Sequence, residues 1–343
     1  MIKEAISLLV SGQSLSMEQA AAVMNEIMSG EATPAQFGSF VTALRLKGET
    51  VDEIAGMAKV MREKAIRVMV SGPLVDTCGT GGDESRSFNI STAAAFVVSG
   101  AGLKVAKHGN RSMSSLCGSA DVMEALGVKI DLGPEQVQAC LEQVGIGFMF
   151  APLFHPAMKY AAPPRREIGI RTVFNILGPL TNPARAQSQV IGVPNEALGE
   201  KIALALRRLD CKHALVVHGH NNMDEISITG RSLVWEVRND LEFMADYCVY
   251  PEDLGFERVG LETIRGGTPQ ENAAIVRRVL KGEKGPRRDV VLMNAAAALV
   301  AGDSAESLRE GAEIAADALD SGKAWEKLEG LIQVSQSFSR ERE

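Results

Sequence analysis

Leu74-Val-Asp-Thr-Cys-Gly-Thr-Gly-Gly-Asp83 runs a short apolar segment into glycines, and Ser87-Phe-Asn-Ile-Ser-Thr92 follows it into a run of small and apolar residues. Leu74–Thr77 reads as a strand and the stretch from about Ser91 to Ser99 as a helix. Gly79, Gly81 and Gly82 let backbone N–H groups turn inward around an anion with no Cβ in the way. The helix start behind them adds unpaired donors and the positive end of a helix dipole. Strand, glycine loop and helix start form the order of an anion cradle, best suited to phosphate. The loop is neither Gly-x-x-x-x-Gly-Lys-Ser/Thr nor Gly-x-Gly-x-x-Gly. The glycines alone leave a plainer alternative open, a tight turn with Ser91 as a helix cap.

Downstream, Lys104-Val-Ala-Lys107 reads as the next strand, and Lys107-His-Gly-Asn-Arg-Ser-Met-Ser-Ser115 as a loop dense in cations, hydroxyls and amides. Two phosphate-compatible loops after consecutive strands imply a ligand with more than one phosphate. Helices are expected at about Ala120–Leu126, with Ser119 as cap, and at Pro134–Val144. Val190–Val193 and Ala214–Val217 look like buried strands around a Leu198–Leu209 helix. Such alternation predicts an α/β fold with a mostly parallel central sheet covered on both faces. The glycines cluster at the ends of these strands, where open α/β sheets bind ligands.

Asp224-Glu225 follows the Ala214–Val217 strand and offers hard oxygen ligands of the kind Mg²⁺ takes alongside substrate phosphates. His218 and His220 precede the pair, but zinc would want a third ligand at the right spacing. Arg165-Arg166 places paired cations, suited to carboxylate or phosphate, in the proline-bearing stretch Pro163–Asn182. That stretch reads as a linker or as a return to the N-terminal helices. His155, before Pro156, reads as a packing or capping residue. Cys78 borders the glycine loop with nothing to mark it as activated.

Upstream, residues 1–66 have a different pattern. Ile2, Ala5, Ile6 and Leu9 form one stripe, and Ser16/Gln19, Thr33/Gln36 and Thr50/Glu53 spell three capping boxes. The stripes Val23/Ile27, Phe37/Val41/Leu44 and Ile54/Met57/Met61 complete a helical module that ends before Ser71-Gly72-Pro73. The charge balance is −7, with 36 Lys and Arg against 43 Asp and Glu, so no nucleic-acid partner is expected. No apolar run reaches membrane-spanning length, and five scattered cysteines spell neither a disulfide framework nor a zinc ribbon. The expected protein is soluble and cytoplasmic, with a polar tail from about Ser335.

Gly79-Thr-Gly-Gly-Asp83, Asn89-Ile-Ser-Thr92, Lys107-His-Gly-Asn-Arg-Ser112 and Gly118-Ser-Ala-Asp121 resemble motifs of the anthranilate phosphoribosyltransferases. So do Arg171-Thr-Val-Phe-Asn-Ile-Leu-Gly-Pro-Leu-Thr-Asn-Pro183, Asp224-Glu225 and Asn294-Ala-Ala-Ala-Ala-Leu299, and the matches occur in order. The resemblance implies the tryptophan-pathway step in which anthranilate's amino group displaces pyrophosphate from 5-phosphoribosyl 1-diphosphate, with Mg²⁺. It also implies a homodimer. Each chain would have a small helical domain, residues 1–66 joined by about 165–185, hinged to a larger α/β domain at 71–335, with a flexible tail at 336–343.

By position, Gly79, Gly82, Asp83, Ser87, Asn89, Ile90, Ser91 and Thr92 would hold the phosphoribosyl donor. Lys107, His108, Gly109, Asn110, Arg111, Ser112, Met113, Ser114, Ser115 and Ser119 would complete that pocket. Ser91, Asp224 and Glu225 would serve the metal. Gly79, Asn110 and Arg165 would meet anthranilate, with Arg166 as second choice. An aromatic amine needs no strong general base, so none is assigned, and Lys107, Asn110 and Arg165 act by positioning. The chain departs from the family pattern at Glu84-Ser85-Arg86 and at Leu116-Cys117. The competing readings are a pyrimidine nucleoside phosphorylase-like enzyme and a non-catalytic nucleic-acid-binding relative.

Overall fold

Ser16, Thr33 and Thr50 each close a capping box, so three helices begin where the spacing predicts. The computed structural model describes residues 1–83, 85–112, 116–241 and 244–338. Its first helices are α1 (Ile2–Val10), α2 (Met17–Ser29), α3 (Pro34–Lys47) and α4 (Val51–Lys64). The expected stripes are buried on α2 (Val23, Ile27), α3 (Phe37, Val41, Leu44) and α4 (Ile54, Met57, Met61), while on α1 Ile2, Ala5 and Leu9 are buried and Ile6 is half-buried.

The chain then alternates as β1 (Leu74–Gly79), α5 (Ile90–Gly100), β2 (Lys104–Gly109), α6 (Ser119–Ala125), α7 (Pro134–Gln143) and β3 (Ile146–Phe150). Short helices α8 (Ala151–Phe154), α9 (Ala162–Ile168) and α10 (Phe174–Leu177) lead to β4 (Ser188–Gly192), α11 (Glu196–Arg208) and β5 (His213–Gly219). Next come β6 (Ser232–Arg238), β7 (Ala245–Val249), α12 (Pro269–Leu280), α13 (Pro286–Ala301), α14 (Leu308–Asp320) and α15 (Lys323–Ser337). The strands form one sheet in the order β3-β2-β1-β4-β5-β6-β7. The first five are parallel; β6 and β7 are antiparallel additions. This is the predicted α/β architecture, a helical bundle beside a mostly parallel sheet.

Alternate residues of β5 divide between the two faces. Leu215 and Val217 join Phe96 and Val98 of α5 and Met293 of α13. Ala214 and Val216 join Ile202 and Leu206 of α11 and Met57 of α4. Phe174 of α10 enters this second core, its ring 5.4 Å from that of Phe37, so the proline-bearing stretch packs on the N-terminal helices. Because β2 and β3 build out from one edge of β1 and β4 returns to the other, the strand order reverses between β1 and β4. That is the switch point at which such sheets bind ligands.

Several boundaries differ from the sequence reading. β1 and β2 run on through Gly79 and Gly109, because parallel pairing with Gly192 and Phe150 overrides glycine's low strand preference. Ser91 is not a cap but lies inside the first turn of α5. Ser119 is likewise helical; Gly118 precedes it, and the Asp121 carboxylate accepts from Gly118 N at 2.8 Å. The polar end is not all tail. Ser335 is buried in α15, accepting from Lys129 N at 3.2 Å, and Gln336 donates to Gly127 O at 2.9 Å.

Candidate active site

The carboxyl ends of β1 and β4 lie side by side, with Gly79 opposite Gly192. The loop after β5 crosses over both. A Cβ on Gly79 would stand 2.1 Å from Asp224 Oδ2, and one on Gly192 would stand 1.5 Å from the Asp224 carbonyl oxygen. Glycine at both strand ends is therefore what lets the acidic pair sit at the switch point. Asp224 Oδ2 accepts from Gly81 N at 2.9 Å. Carboxylate oxygens of Asp83, Asp224 and Glu225 lie within 4.8 Å of one another.

Three carboxyls this close repel, and little water relieves them. Burial first, then Asp83, pushes Asp224 up to about 7. Glu225 is held well above its usual range by burial and then by Asp224, and burial raises Asp83 as well. Glu225 Oε2 is buried with no hydrogen-bond partner among the described residues. A divalent cation would relieve both the repulsion and that orphan oxygen, so the residues fit Mg²⁺. The floor beside them is lined by Thr77, Cys78 and Ser91. Burial, with Asp76 and Asp224, holds the Cys78 thiol far above its usual range, which leaves it protonated and unsuited to act as a nucleophile.

Lys107 is 1% exposed beneath this floor. Its Nζ donates to Thr77 O and lies 3.4 Å from Ser91 Oγ. Burial lowers its pKa, while Asp76, Cys78 and Glu225 act to keep it charged. Asp76 accepts from Asn182 Nδ2 at 2.7 Å and from His108 N at 3.3 Å, and burial lifts it to about 6 against the pull of Lys107. Asn182 also donates to Ala106 O at 2.8 Å, so the stretch after α10 is fastened under β1 and β2.

Facing the glycine loop is a group of arginines. Arg171 Nη2 donates to Gly81 O at 2.8 Å and Thr80 O at 3.4 Å. Arg165 is half-buried on α9, and its guanidinium has no hydrogen bond or ion pair among the described residues. Burial and then Arg171 depress its pKa, so its surroundings favour an incoming anion. Arg166 is exposed. The His108 and His155 rings lie 5.1 Å apart, and both Nε2 atoms lack partners among the described residues. Burial holds them neutral, His108 at about 3 and His155 at about 4.

The structure thus brings together Gly79, Asp83, Ser91, Lys107, Asp224 and Glu225. The glycine loop is a narrower cradle than its sequence implies. Thr80 N donates to Gly192 O at 2.9 Å and Gly81 N is taken by Asp224. Backbone N–H groups of Gly82, Asp83, Ser91 and Thr92 have no partner among the described residues. Other expected donor-binding side chains are engaged within the protein. Asn89 pairs with Cys117 and with Asn272 Nδ2 at 2.9 Å. Ser87 meets Ser85, and Arg111 bridges Asp121 at 2.9 Å and also Glu124. Ile90 is core. Gly109 packs under Ser119, whose hydroxyl reaches Asn110 O at 3.4 Å; Asn110 itself is exposed. Ser112 N donates to Asp121 at 3.2 Å. Met113, Ser114, Ser115 and Glu84 lie outside the described residues. His218 is turned to Val193 O at 2.9 Å, away from any metal role.

Known proteins match nearly the full length of the chain. Residues 71–325 match the model of the glycosyl transferase family a/b domain, and residues 3–65 that of its helical bundle domain. The anthranilate phosphoribosyltransferase of Dehalococcoides mccartyi is 60% identical over 339 residues, covering 99% of each chain. That of Chloroflexus aggregans is 61% identical over 335 residues, covering 97% of this chain and 98% of that one.

The chain belongs to the anthranilate phosphoribosyltransferase family.

Among solved structures, the Thermus thermophilus member superposes with a TM-score of 0.92 at 45% identity, covering 97% of this chain and 99% of that one. The Saccharomyces cerevisiae member, in complex with PRPP and Mg, gives 0.90 at 29% identity, covering 98% of each.

Sequence reasoning passed over Arg171, Asn182 and Asn294. Each stands inside a motif quoted above, but its function is a long-range contact that no local spacing reveals. His155, expected to pack or cap, packs against a second histidine, and the Nε2 atoms of both have no partner among the described residues.

Proposed function

We propose that this chain transfers the 5-phosphoribosyl group of 5-phosphoribosyl 1-diphosphate to anthranilate, as an enzyme of tryptophan biosynthesis. The C1–O bond to pyrophosphate breaks, its electron pair leaving with the pyrophosphate, the C1–N bond to the amine forms, and the amine's proton passes to the departing pyrophosphate or to solvent. The observation that carries the reading is the convergence of Asp83, Asp224 and Glu225 on the β1–β4 switch point, with Arg165, whose guanidinium has no partner among the described residues, beside the Arg171 that grips the glycine loop. Bound Mg²⁺ supplies charge neutralisation to the departing pyrophosphate.

The chain's own residues bind and orient. Asp224, Glu225 and Ser91 hold the metal, and the open N–H groups of Gly82, Asp83, Ser91 and Thr92 receive donor oxygens. Lys107 sets the positive potential of the floor. The Arg165 guanidinium takes the acceptor's carboxylate, and Asn110 and Gly79 bound the acceptor's place. The neutral His108–His155 pair adds uncharged polar edges without trapping the amine's proton. Holding two reactants in line supplies about 7–11 kcal/mol in favourable cases, so positioning carries most of the catalysis.

Residues 1–66 with about 165–185 form one unit and 71–335 the other, and their closure excludes water that would hydrolyse the donor. The packing of Phe174 on Phe37 supports that grouping. The enzyme is cytoplasmic, in keeping with five cysteines that no disulfide joins among the described residues. It is a homodimer, for which the 74% exposed Val10 and 84% exposed Leu46 offer apolar surface on the N-terminal helices. Light scattering checks the dimer.

The deciding experiment follows anthranilate fluorescence on mixing with donor, in Mg²⁺ and in EDTA, for the wild type and for Asp224→Asn/Glu225→Gln. Metal-dependent loss that the variant abolishes supports the reading. Persistent fluorescence despite calorimetric binding of donor and Mg²⁺ would reject anthranilate as acceptor.

A further inference from the structure

Asn294, 5% exposed on α13, faces the acidic loop from below. Its Oδ1 accepts from Ile226 N at 2.9 Å, and its Nδ2 donates to Ile226 O and to Val290 O, each at 2.9 Å. Both amide hydrogens are thus used, and both backbone groups of Ile226 are held by one side chain. Ile226 directly follows Glu225 and is fully buried. On the other side of the acidic pair, the main chain of Asp224 is seated over Gly192 with no room for a Cβ. The pair is therefore pinned at both ends, by a glycine before and by an amide after.

We infer that Asn294 is a positioning residue for the divalent cation: by fixing the peptide after Glu225, it makes the Glu225 and Asp224 carboxylates converge on Asp83. The inference rests on the metal reading of that triad. Only an amide of this length satisfies the site. Aspartate keeps the acceptor but offers no hydrogen to Ile226 O or Val290 O, and it adds charge beside three carboxyls. Alanine leaves both Ile226 groups buried without their partner. Released, the loop still carries its carboxylates but loses their mutual aim, and metal affinity falls while the acceptor side is untouched.

The test uses Mn²⁺ as the probe, with the free ion counted by electron paramagnetic resonance in the presence of 5-phosphoribosyl 1-diphosphate. Wild type is compared with Asn294→Ala and Asn294→Ser, each checked by circular dichroism; serine keeps a hydroxyl for one of the lost partners if alanine does not fold. Outer-shell changes of this kind weaken metal binding about 10–100-fold, and that is the expected loss. Activity should return on raising Mg²⁺, with the KM for anthranilate unchanged. Excess metal would not rescue a merely structural defect. A folded variant that binds Mn²⁺ within about twofold of wild type, or whose lost activity no metal restores, overturns the assignment. If the wild type itself binds no Mn²⁺ with the donor, the metal reading falls and this inference falls with it.

Discussion

The guanidinium of Arg171 occupies the space into which a side chain at Gly82 would grow, since a Cβ there would lie 1.7 Å from Nη1. Arg171 reaches the loop from the segment between α9 and α10, so that segment grips the glycine loop through a guanidinium. The carbonyls of Thr80 and Gly81 are taken by Arg171, and their N–H groups by Gly192 and Asp224. Among the described residues from Thr80 to Asp83, the donors left are those of Gly82 and Asp83.

Gly82→Ala tests that arrangement. Gly82 has φ +84°, where a Cβ costs about 1–2 kcal/mol before Arg171 is displaced. The variant is expected to fold, with a KM for the phosphoribosyl donor raised roughly tenfold or more, about 1.4 kcal/mol of lost binding. The KM for anthranilate should move less. Steady-state kinetics and donor calorimetry read both, and an unchanged donor KM would refute the crowding argument.

Arg165→Ala should act on the other substrate. A half-buried guanidinium with a like-charged neighbour and no partner among the described residues has its pairing capacity in reserve. Losing a charge-assisted hydrogen bond costs about 1.5–3 kcal/mol, so the anthranilate KM should rise on the order of 10–100-fold while the donor KM holds. Exposed Arg166→Ala should change neither substantially. If the donor KM rises instead, Arg165 belongs to the phosphate side.

Much of this site was legible in the sequence because its parts are local. Gly79 ends β1, Ser91 stands in the first turn of α5, Lys107 lies on β2, and Asp83, Asp224 and Glu225 follow β1 and β5 in loops, where the carboxyl ends of a parallel sheet gather. The three capping boxes were equally plain, since cap and partner are three residues apart. What stayed hidden depends on distance along the chain. Arg171 lies ninety residues from Gly81, and Asn182 lies 106 from Asp76. The ends of β1 and β2 were underestimated for a related reason: glycine disfavours a strand alone, and only pairing with β4 and β3 carries each strand through. Arg111 looked like a phosphate ligand, yet Asp121 and Glu124 hold it in this structure.

The raised carboxyls give a pH dependence with a definite sign. Asp224 at about 7 and the elevated Asp83 and Glu225 hold protons in the folded, metal-free protein at pH values where the unfolded chain has released them. Their contribution to stability is complete below the ordinary carboxylate range and is lost as pH rises toward 7. Asp76, lifted to about 6, acts in the same direction, whereas the depressed His108 and His155 act oppositely. Metal binding expels the triad's protons, so the readout is the difference in Tm between Mg²⁺ with donor and EDTA. That difference should widen as pH rises from about 5 to 8, and apparent Mg²⁺ affinity should climb with it. A difference that shrinks over this range excludes the triad as the metal site.

Gly192→Ala is the sharpest geometric test of the switch point. The atom in the way is the Asp224 carbonyl oxygen, at 1.5 Å, and a backbone atom cannot swing aside as a side chain can. Either β4 or the acidic loop must shift. Overpacking of this kind costs about 1–3 kcal/mol, a visible fall in Tm. The larger effect should be functional, because moving the Asp224 main chain rotates the carboxylates off Asp83. Gly133→Ala is the control: its Cβ would come no closer than 3.9 Å to a neighbour, and it is the N-cap of α7, the helix before the edge strand β3. Donor-dependent Mn²⁺ binding is expected to collapse in Gly192→Ala and to survive in Gly133→Ala. Wild-type metal affinity in folded Gly192→Ala would mean that the crossing of Asp224 over β4 does not set the site.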